Sequence, residues 1–204
     1  MKKILCFGDS NTFGFIPGSG KRYDEKTRWT GILKQNLHPD FNVIEAGCNN
    51  RTGFVLNPEN EELTGFLALP KYMSNDIDVL ILALGINDTQ LFYSTDEEII
   101  TQGIEKLIGI AKNFNPNIKI MLVSPSCLDE NVLNGFFSFQ FNKNSIEKSK
   151  KLADIYKQAA EKYKLEYLNL DEYVKVSKKD DLHYEEKEHA VIAQILTERI
   201  LREY

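Results

Sequence analysis

A serine, a histidine and an aspartate in this chain have the types and spacing of a nucleophile, its base and the base's orienting acid. Ser10 stands in Gly8-Asp9-Ser10-Asn11-Thr12-Phe13-Gly14, directly after the apolar run Ile4-Leu5-Cys6-Phe7. A serine hydroxyl attacks carbonyl carbon only when a base takes its proton, and that base works best when a third group holds it. Asp180 and His183 stand three apart in Asp180-Asp181-Leu182-His183, so a turned segment lets the acid meet one ring nitrogen while the other faces Ser10. Acyl transfer also requires donors for the oxyanion. The Asn87 side chain in Gly85-Ile86-Asn87-Asp88 is one candidate, and backbone amides near Ser10 and in the Gly47 to Asn50 loop are others.

Each signal has a plainer reading when taken alone. Gly-Asp-Ser occurs in ordinary turns, Gly-Ile-Asn-Asp suits a tight turn with asparagine in the left-handed region, Asp180 can cap a helix and His183 can fill a surface gap. Their combination carries the argument: a serine after the first strand, an asparagine after a later one, and Asp-x-x-His near the end.

The elements that must position these residues follow from hydrophobic periodicity. Strands are expected at Ile4 to Phe7, Phe41 to Glu45, Asp78 to Leu84, Lys119 to Val123 and Tyr167 to Asn169. The continuous apolar run at Asp78 to Leu84 is that of a central strand buried on both faces. Helices are expected at Arg28 to Leu37, from Asp96 to near Pro116, at Ser145 to Tyr163 and at Glu185 to Arg202, with a short amphipathic piece around Leu63, Phe66, Leu67 and Leu69. Trp29, Ile32, Leu33 and Leu37 fall on one face of the first of these helices. The alternation predicts an α/β fold, a three-layer α/β/α sandwich with a mainly parallel five-stranded sheet, in a single domain over residues 1–204. The polar loops after the strands then converge on the carboxyl edge of the sheet, where open α/β folds place ligands. The loop from Ser126 to Asn142 is long and carries Phe136, Phe137, Phe139 and Phe141.

The net charge of −5, with no basic stripe, argues against a nucleic-acid partner. No run reaches the ~20 apolar residues of a membrane span. The apolar stretch after Met1-Lys2-Lys3 meets an acid at Asp9, too soon for a signal peptide, so a cytoplasmic location is expected. Cys6, Cys48 and Cys127 are odd in number and widely spaced, the pattern of neither a disulfide framework nor a zinc site.

The residues quoted resemble those of the SGNH hydrolase superfamily, the GDSL esterases and lipases, and the resemblance runs from Gly8-Asp9-Ser10 to Asp180-x-x-His183 and the helix after it. Gly8 to Gly14, then Arg28-Trp29-Thr30-Gly31, then Arg51-Thr52, are similar to the bacterial aryl esterase and acyltransferase branch. The resemblance implies a flavodoxin-like sheet, Ser10 as nucleophile, His183 as base, Asp180 as its orienting acid, and an oxyanion hole from Ser10, Asn87 and a backbone amide of the second block. That amide is at Asn50 or Gly47, with Asn50 favoured by the alignment from Ala46. The chain departs from the family at Asn11, where leucine is usual.

Asp9, Asn11 and Phe13 are expected to touch substrate. Phe15 and the Phe136 to Phe141 loop could line the acyl or leaving-group side or serve as core. The substrate implied is a small-molecule ester, with short acyl groups such as acetate suggested by the family. Neither metal nor cofactor is called for, and relatives in the branch suggest a homo-oligomer. An α/β-hydrolase elbow fails because Thr12 stands where G-x-S-x-G needs glycine, and a P-loop fails for want of a lysine after the glycines. Two alternatives stay open. One is a non-catalytic carbohydrate- or acyl-binding module on the same fold. The other is a metal-dependent phosphoesterase with Asp9, Asn87, Asp88 and His183 as ligands.

Overall fold

The computed structural model describes residues 1–203. Among them a five-stranded sheet runs in the order β2-β1-β3-β4-β5, formed by β1 (Lys2–Gly8), β2 (Phe41–Gly47), β3 (Val79–Ala83), β4 (Lys119–Ser124) and β5 (Glu166–Asn169). Every neighbouring pair is parallel. All five strands stand where the apolar runs place them, with no end shifted by more than two residues. The mainly parallel sheet of the sequence reading is parallel throughout, in the flavodoxin-like order.

The two faces of the sheet are separated by the period of two along each strand. Leu5, Phe7, Leu80, Leu82, Ile120 and Leu122 point to one side, and Ile4, Cys6, Val79, Ile81, Met121 and Val123 to the other. Helices α3 (Gly65–Tyr72), α4 (Glu97–Phe114) and α5 (Lys143–Tyr163) cover the first face. Helices α2 (Trp29–Leu37) and α6 (Glu186–Glu203) cover the second. On α4 the buried Ile100, Ile104, Leu107, Ile108 and Ala111 form one stripe at helical spacing, and the Asp96 side chain caps its start by accepting from the Ile99 N–H. Burying one such aliphatic side chain is worth about 1.5–3 kcal/mol. In α3 Leu67 is exposed, because Gly65, Ala68 and Leu69 supply the inward face. No helix among the described residues is long and apolar enough to cross a membrane.

The end of β1 turns into α1 (Ser10–Phe13), a single helical turn. The Asp9 carboxylate accepts from the Asn11 N–H at its start, and Gly14 closes it in the left-handed region at φ 87°. The end of β2 presses on this turn. A Cβ on Gly47 would lie 2.1 Å from the Phe13 nitrogen and 2.5 Å from the Thr12 carbonyl carbon. Those are backbone atoms with no rotamer to yield. Gly47→Ala is therefore expected to destabilise the fold by about 1–3 kcal/mol, as overpacking does. The midpoint of urea unfolding checks this, and an unchanged midpoint would refute the close approach.

Candidate active site

Ser10 begins α1 at the carboxyl edge of the sheet, 5% exposed. His183 arrives from the loop ahead of α6, and its Nε2 lies 2.9 Å from Ser10 Oγ. Its Nδ1 lies 2.8 Å from Asp180 Oδ2. The loop makes this possible by a tight turn: Asp181 takes φ 57°, and Asp180 Oδ1 accepts from the N–H groups of Leu182 and His183. The Gly18 N–H, from the segment after α1, donates to Asp180 Oδ2. Burial raises the Asp180 carboxyl, but the ring and backbone of His183 and the Gly18 amide outweigh it and hold the group below its ordinary value. An ionised carboxylate only accepts, so Nδ1 carries the proton and Nε2 is left to accept from the serine hydroxyl.

The His183 ring lies between two phenylalanines. Phe15 stacks on it at 4.2 Å between centroids, and Phe137 meets it edge-on at 5.4 Å. Phe15, Phe136, Phe137 and Leu182 form the apolar wall of a cleft of about 460 Å³ over Ser10. Asn49, Asn50 and Asn87 stand on the polar side.

Asn87 opens a short 3₁₀ turn, Asn87–Thr89, after β3. Its Nδ2 donates to the Arg51 carbonyl at 3.0 Å, which leaves one amide hydrogen of two. Asn50 sits at φ 60°, with its carbonyl held by Asn57 Nδ2 and its side chain by Gln90 Nε2. Its own N–H meets no acceptor among the described residues. Asn50 lines the cleft, whereas Gly47 is shut against α1.

Three expectations for substrate contact change here. Asn11 faces away from the cleft and clips the histidine loop: its Nδ2 donates to the Leu182 carbonyl and its Oδ1 accepts from the Tyr184 N–H, both at 3.3 Å. A leucine could make neither bond, which gives this departure from the usual GDSL leucine a physical reason. Phe13 lies under Arg22, 4.6 Å from guanidinium carbon to ring centroid, outside the cleft lining. Asp9 is 2% exposed and caps α1. In the 126–142 loop only Phe136, Phe137 and Gln140 reach the cleft, while Phe141 is core.

Two buried residues make contacts that the sequence reading did not assign. Arg51 is fully buried, and its Nη1 donates to the carbonyls of Gly8 at 3.0 Å and Ala46 at 2.6 Å. Gln90 bridges Asn50 and Asn87, and its only sequence signal is a place three residues after Asn87. His189 packs nearby and makes a specific bond. Its Nδ1 accepts from the Trp29 N–H at the start of α2, and burial draws the ring down to about 4. Among the described residues no group of three or more His, Cys, Asp or Glu is arranged to hold a metal ion.

The chain was compared with known proteins. The model of the GDSL-like lipase/acylhydrolase family matches residues 6–191. Among solved structures, an aryl esterase from M. smegmatis is similar at a TM-score of 0.90 and 27% identity, over 99% of this chain and 99% of that one. Est24, a carbohydrate acetylesterase from Sinorhizobium meliloti, is similar at 0.89 and 26%, over 100% of both chains. A lipase/acylhydrolase from Enterococcus faecalis shares the fold at 0.71 and 16% identity, over 98% of this chain and 95% of that one. A comparison with curated proteins gives no match.

Burial also pushes Asp9 up to about 7, reinforced by the charge of Asp88 and opposed by the Asn11 N–H and Arg51. The folded state then keeps a proton that the unfolded chain has lost, so stability falls as pH rises from the ordinary carboxylate range to about 7. Asp9→Asn keeps an oxygen for the Asn11 N–H and removes this pH dependence. The variant is expected to gain stability relative to wild type across that window and to level off above it, read by urea unfolding at stepped pH. A constant difference would show that Asp9 folds ionised.

Proposed function

We propose a serine acyl-enzyme mechanism for this chain, which belongs to the GDSL-like lipase/acylhydrolase family and is a carboxylic ester hydrolase. The observation that carries the mechanism is the continuous line from Ser10 Oγ through the His183 ring to Asp180, at 2.9 and 2.8 Å. His183 Nε2 takes the hydroxyl proton as Oγ attacks the ester carbonyl carbon. Asp180 holds the tautomer and offsets the charge of the imidazolium. The carbonyl oxygen becomes an oxyanion, met by the second amide hydrogen of Asn87, the Asn50 N–H and the Ser10 N–H. The imidazolium then protonates the departing alkoxide, and Ser10 is left as its ester.

A water that gives its proton to His183 attacks the acyl carbon, and the serine leaves with that proton. An alcohol in place of the water would transfer the acyl group. A short acyl group such as acetyl suits this reading. The phenylalanine wall stands close to Ser10, and Est24, similar over its whole length, is a carbohydrate acetylesterase.

The test is hydrolysis of p-nitrophenyl esters of graded chain length, with and without chelator. Acetate and propionate esters are expected to be the best substrates, with turnover unchanged by chelator. Ser10→Ala and His183→Ala should each remove nearly all turnover, and Asn87→Ala should lower kcat about 10²–10³-fold. Equal activity in wild type and Ser10→Ala would overturn the mechanism. Loss with chelator would point to a metal, and a folded protein without ester turnover to a binding module.

A further inference from the structure

Gln90 follows Asn87 by three residues, one full turn in 3₁₀ geometry, so the two side chains leave the backbone on the same side. It is 2% exposed, and its Nε2 reaches two oxygens at once, Asn50 Oδ1 at 3.0 Å and Asn87 Oδ1 at 3.0 Å. A carboxamide nitrogen has two hydrogens, and both are committed. The two acceptors belong to different loops, one after β2 and one after β3. They are also the two residues beside Ser10 that supply the proposed oxyanion donors. We propose that Gln90 is the positioning residue of the oxyanion hole, fixing which way the Asn87 amide faces and holding Asn50 beside it.

This inference rests on the acyl-enzyme reading given above, and its physical basis is the asymmetry of the amide group. Asn87 has two orientations of nearly the same shape, and only one turns a free hydrogen toward the cleft. In the observed one, Oδ1 accepts from Gln90 while Nδ2 donates one hydrogen to the Arg51 carbonyl at 3.0 Å. The reversed orientation would set the Asn87 NH₂ against the Gln90 NH₂ and its oxygen against the Arg51 carbonyl. A bond to Oδ1 also polarises the amide and makes the remaining N–H a stronger donor. On the other side, the bond to Asn50 Oδ1 adds to the Asn57 bond on the Asn50 carbonyl, and together they hold the residue at φ 60° with its N–H unspent.

Gln90→Glu tests this with little change of shape. A carboxylate accepts where the carboxamide donated, so it draws the Asn87 NH₂ inward and away from the cleft. Gln90→Leu removes the donor without adding a charge. With p-nitrophenyl acetate, both variants are expected to lose about tenfold or more in kcat, short of the about 10²–10³-fold cost of removing a donor outright, with KM within about twofold. Affinity for phenylboronic acid, which forms a tetrahedral adduct on a reactive serine, should fall in step with kcat. In the Asn87→Ala background, Gln90→Glu should cost much less than it does alone, because it acts through Asn87.

Wild-type kcat in Gln90→Glu, or losses that multiply in the double variant, would overturn the role of Gln90. If Gln90→Leu does not fold, Gln90→Glu with an unchanged unfolding midpoint decides. The underlying reading has its own signature of failure, which is wild-type kcat in Asn87→Ala or turnover in Ser10→Ala. A large loss in Asn87→Ala with none in either Gln90 variant would sink this inference alone.

Discussion

Three parallel strands end at one level, and the site depends on that register. Gly8 is paired with Gly47 on one side and with Ala83 on the other, so the loops that follow β1, β2 and β3 start from the same height. Arg51 adds a donor at the ends of two strands at once, through the carbonyls of Gly8 and Ala46, while its Nε donates to the Glu62 carbonyl at 2.9 Å and its guanidinium lies 4.4 Å from the Phe7 ring centroid. Its own carbonyl then orients Asn87. One fully buried cation thereby links the strand that leads to Ser10 with the residue proposed to meet the oxyanion.

The buried carboxylates divide by what surrounds them. Asp180 is held below its ordinary value because the groups aimed at it outweigh its burial. Asp88 accepts from the N–H groups of Gly53, Phe54 and Val55 at 2.6–3.1 Å, which fastens the β3 loop to the loop after β2. Burial nevertheless raises it to about 7, as it does Asp9. In the proposed mechanism the acid that must carry charge is thus the one held ionised beside the His183 ring, while the other two serve as acceptors that shape loops. This division matches the roles that the chemistry requires of them.

Chemistry is legible in a sequence where it needs one residue type at a strand end. Ser10 and Asn87 met that condition, Asp180 and His183 stood together in one short motif ahead of the last helix, and the fold brings all four to one cleft or directly behind it. Asn11 and Phe13 met it too, and both proved to face elsewhere. The residue after a nucleophile on a helical turn points about 100° away from it, so Asn11 reaches the backbone of the histidine loop instead of the cleft. Phe13 is held instead by Arg22, whose Nε donates to its carbonyl and whose guanidinium lies over its ring. The contacts of Gln90 and Arg51 were invisible because they connect loops distant in sequence. Gln90 lies 40 residues from Asn50, and Arg51 Nη1 reaches 43 residues back to Gly8.

From the sequence by itself came the strand and helix order, the parallel sheet and the candidate set of site residues, because periodicity and short motifs are local properties written in neighbouring residues. The tertiary structure alone decided which of two loop residues lines the cleft, Asn50 and not Gly47, and which phenylalanines enclose the histidine, Phe15 and Phe137. Those outcomes turn on where a side chain points once loops from five strand ends meet. That direction is set by close approach and by hydrogen bonds across long separations, and neither leaves a periodic trace in the chain.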